Sequence, residues 1–172
     1  EGFLMATATV NYSSNTSITC GVASTASSTT FVAGRESSEI DNTTNKYDDA
    51  LVQGKITVGT TPTAPTLILV YVWGSDTSAG TTAIDVIDGT DSAETLTSAG
   101  VRDGFMRLGA AINVDATTSD RVYPVGPFSV ADLFGQLPKY WGLFVTHNTG
   151  ANLNATGGNH AFTYTGIKFD TA

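Results

Sequence analysis

Few side chains in this sequence are of the types that carry out chemistry. It contains two histidines, His147 and His160, and one cysteine, Cys20. Zinc sites use Cys and His at short spacings, whereas the two histidines are 13 residues apart with no other soft ligand close by. Because His147 continues a strand pattern and His160 opens the last strand, we expect both to be hydrogen-bonded residues at strand ends. Cys20 is expected to be a small buried hydrophobic residue.

Motifs of covalent catalysis are also missing from the sequence. No G-x-S-x-G nucleophile elbow occurs, and nothing local pairs Cys20 with a base. A glycosidase would need two carboxyl groups across a cleft, together with exposed aromatic side chains. Trp73 and Trp141 both lie in apolar strand contexts, so core packing is the expected role of each. We therefore expect no enzymatic activity and no cofactor.

An acidic cluster is the best metal-binding candidate in the sequence. Its members are Asp85, Asp88, Asp91 and Glu94. Calcium prefers several oxygen ligands from one or two flexible loops, but this segment does not match the pattern D-x-[DN]-x-[DN]-G. Because Asp also caps turns, a solvated Asp-rich turn explains the same residues without an ion. The prediction is no metal site, with these four residues as weak candidates.

Charge limits the classes of partner. The 172 residues include 16 acidic and 8 basic side chains, a formal net charge of −8. A nucleic-acid surface needs clustered Lys and Arg, whereas the basic residues here are scattered from Arg35 to Lys168. No stretch approaches the roughly 20 apolar residues of a membrane helix. We expect neither nucleic acid nor a membrane as a partner.

Short runs of β-branched and aromatic residues, broken by Gly, Pro, Asn, Asp and Ser, recur along the chain. This spacing is typical of antiparallel sandwiches and barrels. The predicted strands cover residues 16–23, 29–36, 50–59, 66–74, 83–88, 105–114, 121–130, 140–147 and 160–170. They predict an all-β fold, a jelly-roll-like antiparallel β-sandwich of about eight or nine strands with minimal helix. Residues 1–172 form one domain in this interpretation, with residues 1–12 as a candidate N-terminal arm.

Some segments allow more specific predictions. Thr66–Trp73 is apolar at every position after the first, which predicts a strand covered on both faces. A single helical turn is predicted over Ser129–Gly135, with Ser129 as N-cap and Gly135 as the stop. A second helical turn is predicted over Asp91–Leu96.

The last strand contains apolar residues of both parities. Phe162 and Tyr164 share one face, whereas Ile167 and Phe169 fall on the other. A register change near Gly166, such as a bulge, would bring all four to the core side.

Four segments carry a resemblance to a known class of protein. They are Val32–Ser37, Asp41–Thr57, Arg121–Pro127 and Leu137–Thr149. In running pattern the chain resembles small structural proteins of tailed bacteriophages. The resemblance implies a capsid decoration or cement protein with a jelly-roll-like sandwich. Such proteins lie on the outer capsid surface of the virion, often as trimers, and clamp neighbouring subunits of the major capsid protein; no catalytic residue is carried over.

If the resemblance holds, two regions are expected to contact partners, which would be other copies of the chain and the major capsid protein. The mixed charges of the segment from Arg35 to Lys55 would fix register against capsid subunits, and the arm would dock through apolar side chains. The predicted contact residues are Phe3, Leu4, Met5, Arg35, Glu36, Lys46 and Lys55.

The alternative is a tail-fibre or carbohydrate-binding β-sandwich that attaches to host glycans. Both functions use the same fold class, so the fold does not decide between them. An exposed row of Trp or Tyr in a groove, or calcium at the acidic cluster, would favour glycan binding. A large apolar subunit interface would favour the cement protein.

Overall fold

In the computed structural model, which describes residues 8–79 and 84–171, the chain forms two antiparallel sheets packed around a shared core. The strands of this part of the chain are β1 (Ala8–Tyr12), β2 (Thr16–Ser17), β3 (Ala33–Glu36), β4 (Ile40–Asp41), β5 (Asp49–Thr57), β6 (Thr66–Ser75), β7 (Ala93–Thr95), β8 (Met106–Val114), β9 (Val122–Ser129), β10 (Tyr140–His147) and β11 (Ala161–Thr171). The helices are α1 (Ala99–Phe105), α2 (Val130–Phe134) and a 3-10 turn at Gly157–Asn159. None of the helices in the described ranges has the length and apolar character to cross a membrane.

The strand order of the two sheets defines a jelly roll. The first sheet runs β1-β11-β5-β9, and β2 follows β1 along β11. The second sheet runs β7-β3-β10-β6-β8, and β4 follows β3 along β10. β1 and β2 can be counted as one broken strand, and so can β3 and β4; with the short β7 left out, eight strands remain. Numbered anew along the chain, they run 1-8-3-6 in the first sheet and 2-7-4-5 in the second. This is the jelly-roll arrangement of two Greek keys, so the predicted all-β, jelly-roll-like sandwich is confirmed.

The observed strands differ from the predicted ones in several places. β1, β4 and β7 lie where the sequence pattern predicts no strand, and they are 5, 2 and 3 residues long. The strand predicted over residues 83–88 is wrong for the described part of that range, where Ile84 and Ile87 form only an isolated bridge. Asp85 between them has a left-handed backbone (φ 59°), which turns the chain back on itself.

Residues Ile68–Trp73 of β6 are buried on both faces, as the continuous apolar run predicts, whereas Leu67 near the start of the strand is 38% exposed. Ile68 and Val70 point into the main core between the sheets. The alternate residues Tyr71 and Trp73 point to the other side of the second sheet, where Ile87 from the β6–β8 connection covers them. Full burial of a large apolar side chain contributes about 1.5–3 kcal/mol, so the connection stabilises the sheet that it crosses.

Helix positions agree with the prediction at one site and differ at another. α2 begins after Ser129, whose hydroxyl accepts the backbone N–H of Asp132, and it ends at Gly135 in the left-handed conformation. That helical turn and both its caps are confirmed. The turn of helix predicted over residues 91–96 is wrong, because Ala93–Thr95 pairs with β3 instead. The helix of this region is α1, which begins after Ser98.

Pairing along β11 is regular over its whole length, so the register change predicted near Gly166 is wrong. The ring of Tyr47 packs on Gly166 where a Cβ would lie, which accounts for the glycine. Alternation therefore continues along the strand. Phe162 fills the main core, whereas Ile167 and Phe169 point to the outer face of the first sheet.

Candidate interaction surfaces

The two histidines have structural roles. Nε2 of buried His147 lies 3.0 Å from the carbonyl oxygen of Thr25, and burial lowers the pKa of the imidazole. Nε2 of His160 lies 2.9 Å from the carbonyl oxygen of Asn154, and its Nδ1 accepts the backbone N–H of Thr57. The prediction that both are hydrogen-bonded residues at strand ends is confirmed.

The Cys20 thiol lies in an apolar setting. It is partly buried and packs against the main core. Burial raises its pKa, and the neighbouring carboxylate of Asp91 raises it further. Because the thiolate is the reactive form, this environment disfavours nucleophilic chemistry at Cys20.

The four acidic residues proposed as weak calcium ligands, Asp85, Asp88, Asp91 and Glu94, are engaged separately within the chain. Asp85 accepts two hydrogen bonds from Thr97, and Asp88 accepts one from the backbone N–H of Thr90. Within residues 8–79 and 84–171, no three Asp, Glu, His or Cys side chains gather as metal ligands. Their hydrogen bonds are those of a capped, Asp-rich turn.

Arg35 and Asp91 form an ion pair inside one chain. Nε of Arg35 lies 2.6 Å from Oδ1 of Asp91, which also accepts the backbone N–H of Gly21 at 2.9 Å. Burial opposes ionisation of Asp91, but these two hydrogen bonds outweigh it and lower the pKa of the carboxyl. The pair therefore ties β3 to the turn before β7 and to the segment that follows β2.

The Glu36 side chain is fully buried next to this ion pair. Its Oε1 accepts the backbone N–H of Gly89 at 2.7 Å, and its Oε2 accepts that of Asp88 at 3.3 Å. Burial raises the pKa of this carboxyl to about 7. Arg35 and Glu36 thus hold the 88–91 turn; the Glu36 side chain is inaccessible to a partner, whereas that of Arg35 is partly exposed.

The other predicted contact residues are placed differently. Lys46 and Lys55 are exposed, so their side chains can reach a partner. Phe3, Leu4 and Met5 lie outside the described residues. The remaining part of the predicted arm, residues 8–12, forms β1.

Both tryptophans lie in the cores of the sandwich, as their sequence contexts predict. Trp73 packs in a second core, on the side of the second sheet that faces away from the main core. Trp141 packs in the main core, with its ring edge-on to Tyr164 at a centroid distance of 5.4 Å. Neither indole N–H has an acceptor within the described residues, so packing alone fixes these rings. Neither ring is available to stack on a sugar.

At one edge of the first sheet is a two-stranded ribbon, here called the β1/β11 ribbon, formed by Ala8–Tyr12 and Ile167–Thr171. β5 pairs with β11 only as far as Ile167, because β5 begins at Asp49. Beyond that point β1 is the only strand paired with β11 in the described chain. The ribbon continues the first sheet, and the Asp48 carboxylate supports it by accepting the backbone N–H of Phe169 at 2.7 Å.

One face of the β1/β11 ribbon is apolar. Val10 pairs with Phe169 and Tyr12 pairs with Ile167, which places all four on the outer face of the first sheet. Val10, Tyr12 and Phe169 are 48%, 65% and 58% exposed, whereas Ile167 is buried. Exposed apolar side chains are ordinary when single, but a contiguous group of them on one face indicates an interaction site.

The opposite face of the ribbon is polar. Nδ2 of Asn11 donates to Oδ2 of Asp170 at 2.8 Å, and Nζ of Lys168 lies 3.9 Å from Oδ1 of Asp170. Surface ion pairs of this kind contribute little stability. The two faces of the ribbon therefore differ sharply in polarity.

The sequence contains a signal for the ribbon that the strand prediction does not use. Val10 and Tyr12 alternate with Thr9 and Asn11, the period-two pattern of a strand with one apolar face. Phe169 carries the matching signal in β11, where the predicted register change assigns it to the core. The apolar face becomes visible only once the two segments are paired.

The opposite end of the sandwich contains a polar hollow of about 430 Å³. Asp120, Asn152 and Thr156 are among its lining residues, together with Asn154. Nδ2 of Asn154 donates to Oδ1 of Asp120 at 2.6 Å. These amide and carboxyl groups are of the kind that bind neutral hydroxylated ligands.

Comparison of the chain with protein-family models, with curated proteins and with solved structures found no match.

Proposed function

We propose that this protein is a capsid decoration or cement protein of a tailed bacteriophage. In this proposal it is a non-enzymatic virion component that binds the outer surface of the major capsid protein shell and stabilises it, as a trimer. The observation that carries the proposal is the exposed apolar face of the β1/β11 ribbon. The resemblance to phage structural proteins supplies the identity of the partner.

The energetics of the ribbon support a role in binding. Val10, Tyr12 and Phe169 are exposed to water. A partner that covered them would gain about 25 cal/mol of binding free energy for each Å² of apolar surface buried. A partner that binds only the folded protein also stabilises it by mass action. Contact through this face would therefore stabilise both the folded protein and its attachment to the shell.

The rest of the molecule suits a structural component. The jelly roll places the ribbon at the edge of a sheet that is fixed by the main core. The histidines are hydrogen-bonded, the thiol has a raised pKa, and the acidic residues hold turns. These arrangements serve packing and positioning.

The alternative function, attachment to host glycans as a tail-fibre or carbohydrate-binding module, has one observation in its favour. The polar hollow at Asp120 and Asn154 offers oxygen and amide groups of the kind that sugars bind. Aromatic stacking, the usual second element of a sugar site, is absent among the described lining residues. The ribbon therefore carries more weight than the hollow.

The proposal is tested by incubating the purified protein with capsids that lack it and sedimenting the capsids. Saturable attachment at a fixed ratio to capsid protein is expected. The double variant Val10→Ser/Phe169→Ser should attach at least about tenfold more weakly, since it removes the apolar face. Leu67→Ser is the matched control, because Leu67 is also an exposed apolar strand residue but lies in the second sheet.

A glycan array with the same proteins separates the two functions. Binding to glycans without attachment to capsids would contradict the cement proposal. Loss of that glycan binding in Asn154→Ala would place the site in the polar hollow. Attachment to capsids that Val10→Ser/Phe169→Ser does not weaken would also contradict the role given to the ribbon.

A further inference from the structure

Strand β1 is paired on one edge only in the part of the chain that the structure describes. Its inner edge is occupied by β11, from Ala8 opposite Thr171 to Tyr12 opposite Ile167. Within residues 8–79 and 84–171 no strand pairs with its outer edge. The first sheet therefore ends at the outer edge of β1.

The hydrogen bonds around β11 show which backbone groups of β1 point outward. The N–H of Ser13 donates to the carbonyl oxygen of Gly166 at 2.8 Å, whereas the N–H of Phe169 points away from β1, toward the β5 side. Successive residues of a strand direct their N–H and C=O groups to alternate edges. Because Val10 lies opposite Phe169, its N–H and C=O point to the outer edge, and so do those of Tyr12.

The outer edge of β1 lacks the features that usually protect an edge strand. Such strands are kept from pairing by Pro, by charged residues, by bulges or by short length. The opposite edge of the same sheet is β9, which contains Pro124 and Pro127, and the edge strand β7 of the second sheet has only three residues. β1 has five residues with no proline and no charge, and its pairing with β11 has no bulge. It is therefore a template on which a further strand can pair.

The charge distribution allows a second copy of the chain to approach this edge. The net charge of −8 makes two copies repel each other in general. β1 itself is uncharged, and the two charged residues of the β11 segment paired with it, Lys168 and Asp170, have opposite signs. The β1/β11 ribbon is thus a neutral part of an acidic chain.

We propose that β1 pairs with β1 of a second copy of the chain, antiparallel and about a two-fold axis at Val10. This register uses all five residues of the strand. Val10 lies opposite its own counterpart, Tyr12 lies opposite Ala8, and Asn11 lies opposite Thr9. The outward N–H and C=O groups of the two copies then hydrogen-bond to each other, and the alternation of apolar and polar side chains continues across the contact.

This edge contact does not rest on the proposed function. Pairing takes place in the plane of the sheet, so the apolar face of the ribbon stays open and is extended by that of the second copy. Within the proposed function, the contact joins subunits of two neighbouring trimers, because a two-fold contact cannot close a ring of three.

A disulfide introduced at the two-fold axis tests the register, and it traps a contact that a short edge makes only weakly. The purified full chain carries Cys20→Ala, so that the introduced thiol is the only one. Val10→Cys should form a disulfide-linked dimer under mild oxidation, because Cα atoms of a hydrogen-bonded pair lie about 5.5 Å apart, within reach of a disulfide. A non-reducing gel measures the yield.

Tyr12→Cys in the same background is the matched control. Tyr12 lies on the same face as Val10 and is more exposed, at 65% against 48%. In the proposed register the two copies of Tyr12 are separated by four residues, roughly 14 Å, along the strands. Tyr12→Cys should therefore give at least about tenfold less dimer than Val10→Cys.

A second comparison separates the backbone of the edge from its side chains. Val10→Pro and Val10→Ser both remove the apolar side chain, but only proline removes the outward N–H. Both variants should fold, because proline is tolerated on an edge strand where its nitrogen faces solvent. Val10→Pro should weaken self-association, measured by sedimentation equilibrium, at least about tenfold more than Val10→Ser, since it deletes both hydrogen bonds of the central pair.

Equal disulfide yields from Val10→Cys and Tyr12→Cys would overturn the proposal, because they would indicate stacking of ribbon faces or chance collision. So would the absence of a disulfide dimer of Val10→Cys, the result expected if another segment covers the edge, or equal self-association of Val10→Pro and Val10→Ser.

Capsid attachment separates this proposal from the proposed function. Disulfide dimers of Val10→Cys, in a protein that does not attach to capsids, support the edge contact and overturn the cement function. Attachment of the wild-type protein to capsids, without disulfide dimers of Val10→Cys, overturns the edge contact and leaves the cement function in place.

Discussion

Val10 of β1 lies directly opposite Phe169 of β11, and both side chains point to the exposed face of the β1/β11 ribbon. A cross-strand pair of this kind contributes about 0.2–1 kcal/mol, which does not offset the entropy of ordering a ribbon at the edge of a sheet. In the function proposed above, this pair is one half of a contact whose other half belongs to a neighbouring molecule.

The first prediction concerns the isolated protein. Val10→Ser/Phe169→Ser should lower the free energy of unfolding by less than about 1 kcal/mol, because exposed side chains contribute little to the fold. Urea unfolding followed by tryptophan fluorescence measures this, since both tryptophans lie in the cores. A loss larger than about 2 kcal/mol would mean that the isolated protein already buries this face.

The second prediction concerns pH and Glu36. Its pKa is raised from 4.5 to about 7 in the folded chain by burial. The folded state therefore binds a proton more tightly than the unfolded state does, and the stability that this group contributes is lost as pH rises from about 4.5 to about 7. Glu36→Gln cannot ionise, so its unfolding free energy should not show this decline.

The difference in unfolding free energy between wild type and Glu36→Gln, measured across that pH range, isolates this effect. His147 has the opposite sign: its lowered pKa makes its contribution present above its ordinary pKa and lost as pH falls. Both proteins keep His147, so the difference cancels its contribution. A wild-type curve parallel to that of Glu36→Gln would contradict the buried carboxyl account.

The third prediction concerns the ion pair of Arg35 and Asp91. Asp91→Asn should cost about 1–3 kcal/mol at neutral pH, because it weakens hydrogen bonds to the guanidinium and to the N–H of Gly21. The pKa of Asp91 is lowered, so this stability should disappear as pH falls through the folded pKa of that carboxyl.

The exposed pair of Arg121 and Asp115 supplies the matched control for this measurement. Asp115→Asn should change the free energy of unfolding by less than about 1 kcal/mol, as is usual for surface ion pairs. Equal losses in Asp91→Asn and Asp115→Asn would show that the Arg35–Asp91 pair has no special structural role.

The fourth prediction concerns close packing between β6 and β10. A Cβ on Gly142 would lie 2.5 Å from Cζ2 of Trp73, a ring that is fully buried. Gly142→Ala should therefore destabilise the protein by about 1–3 kcal/mol, because the core has no space for the methyl group. Gly104→Ala in α1 is the control: apart from its chain neighbours and the backbone of its own helix, no atom lies within 4 Å of its Cβ position, so its effect should be neutral or slightly stabilising. Thermal unfolding of both variants checks the comparison.

Local sequence signals predict the parts of the fold that depend on local chemistry. The apolar run of Thr66–Trp73 predicts a strand buried on both faces, and Ser129 with Gly135 predicts both ends of α2. The alternation at the end of β11 could not be interpreted alone, because Phe169 belongs to the core or to the surface depending on which strand pairs with it.

The candidate surfaces depend on contacts between distant segments. The β1/β11 ribbon joins segments from opposite ends of the described chain, so their spacing in the sequence gives no sign of it. Glu36 is predicted as a surface contact because it belongs to the mixed-charge segment from Arg35 to Lys55. Its burial follows from the 88–91 turn, which brings two backbone N–H groups to its carboxylate from 52 and 53 residues away.

The measurement that tests the central claim most directly is the melting temperature of capsids lacking this protein, with and without added protein. Saturating wild-type protein should raise the capsid melting temperature, and Leu67→Ser should raise it equally. The variant Val10→Ser/Phe169→Ser, confirmed as folded, should not raise the capsid melting temperature above that of capsids without added protein. An unchanged melting temperature with wild-type protein, or an equal rise with Val10→Ser/Phe169→Ser, would contradict the claim that the ribbon binds and stabilises the shell.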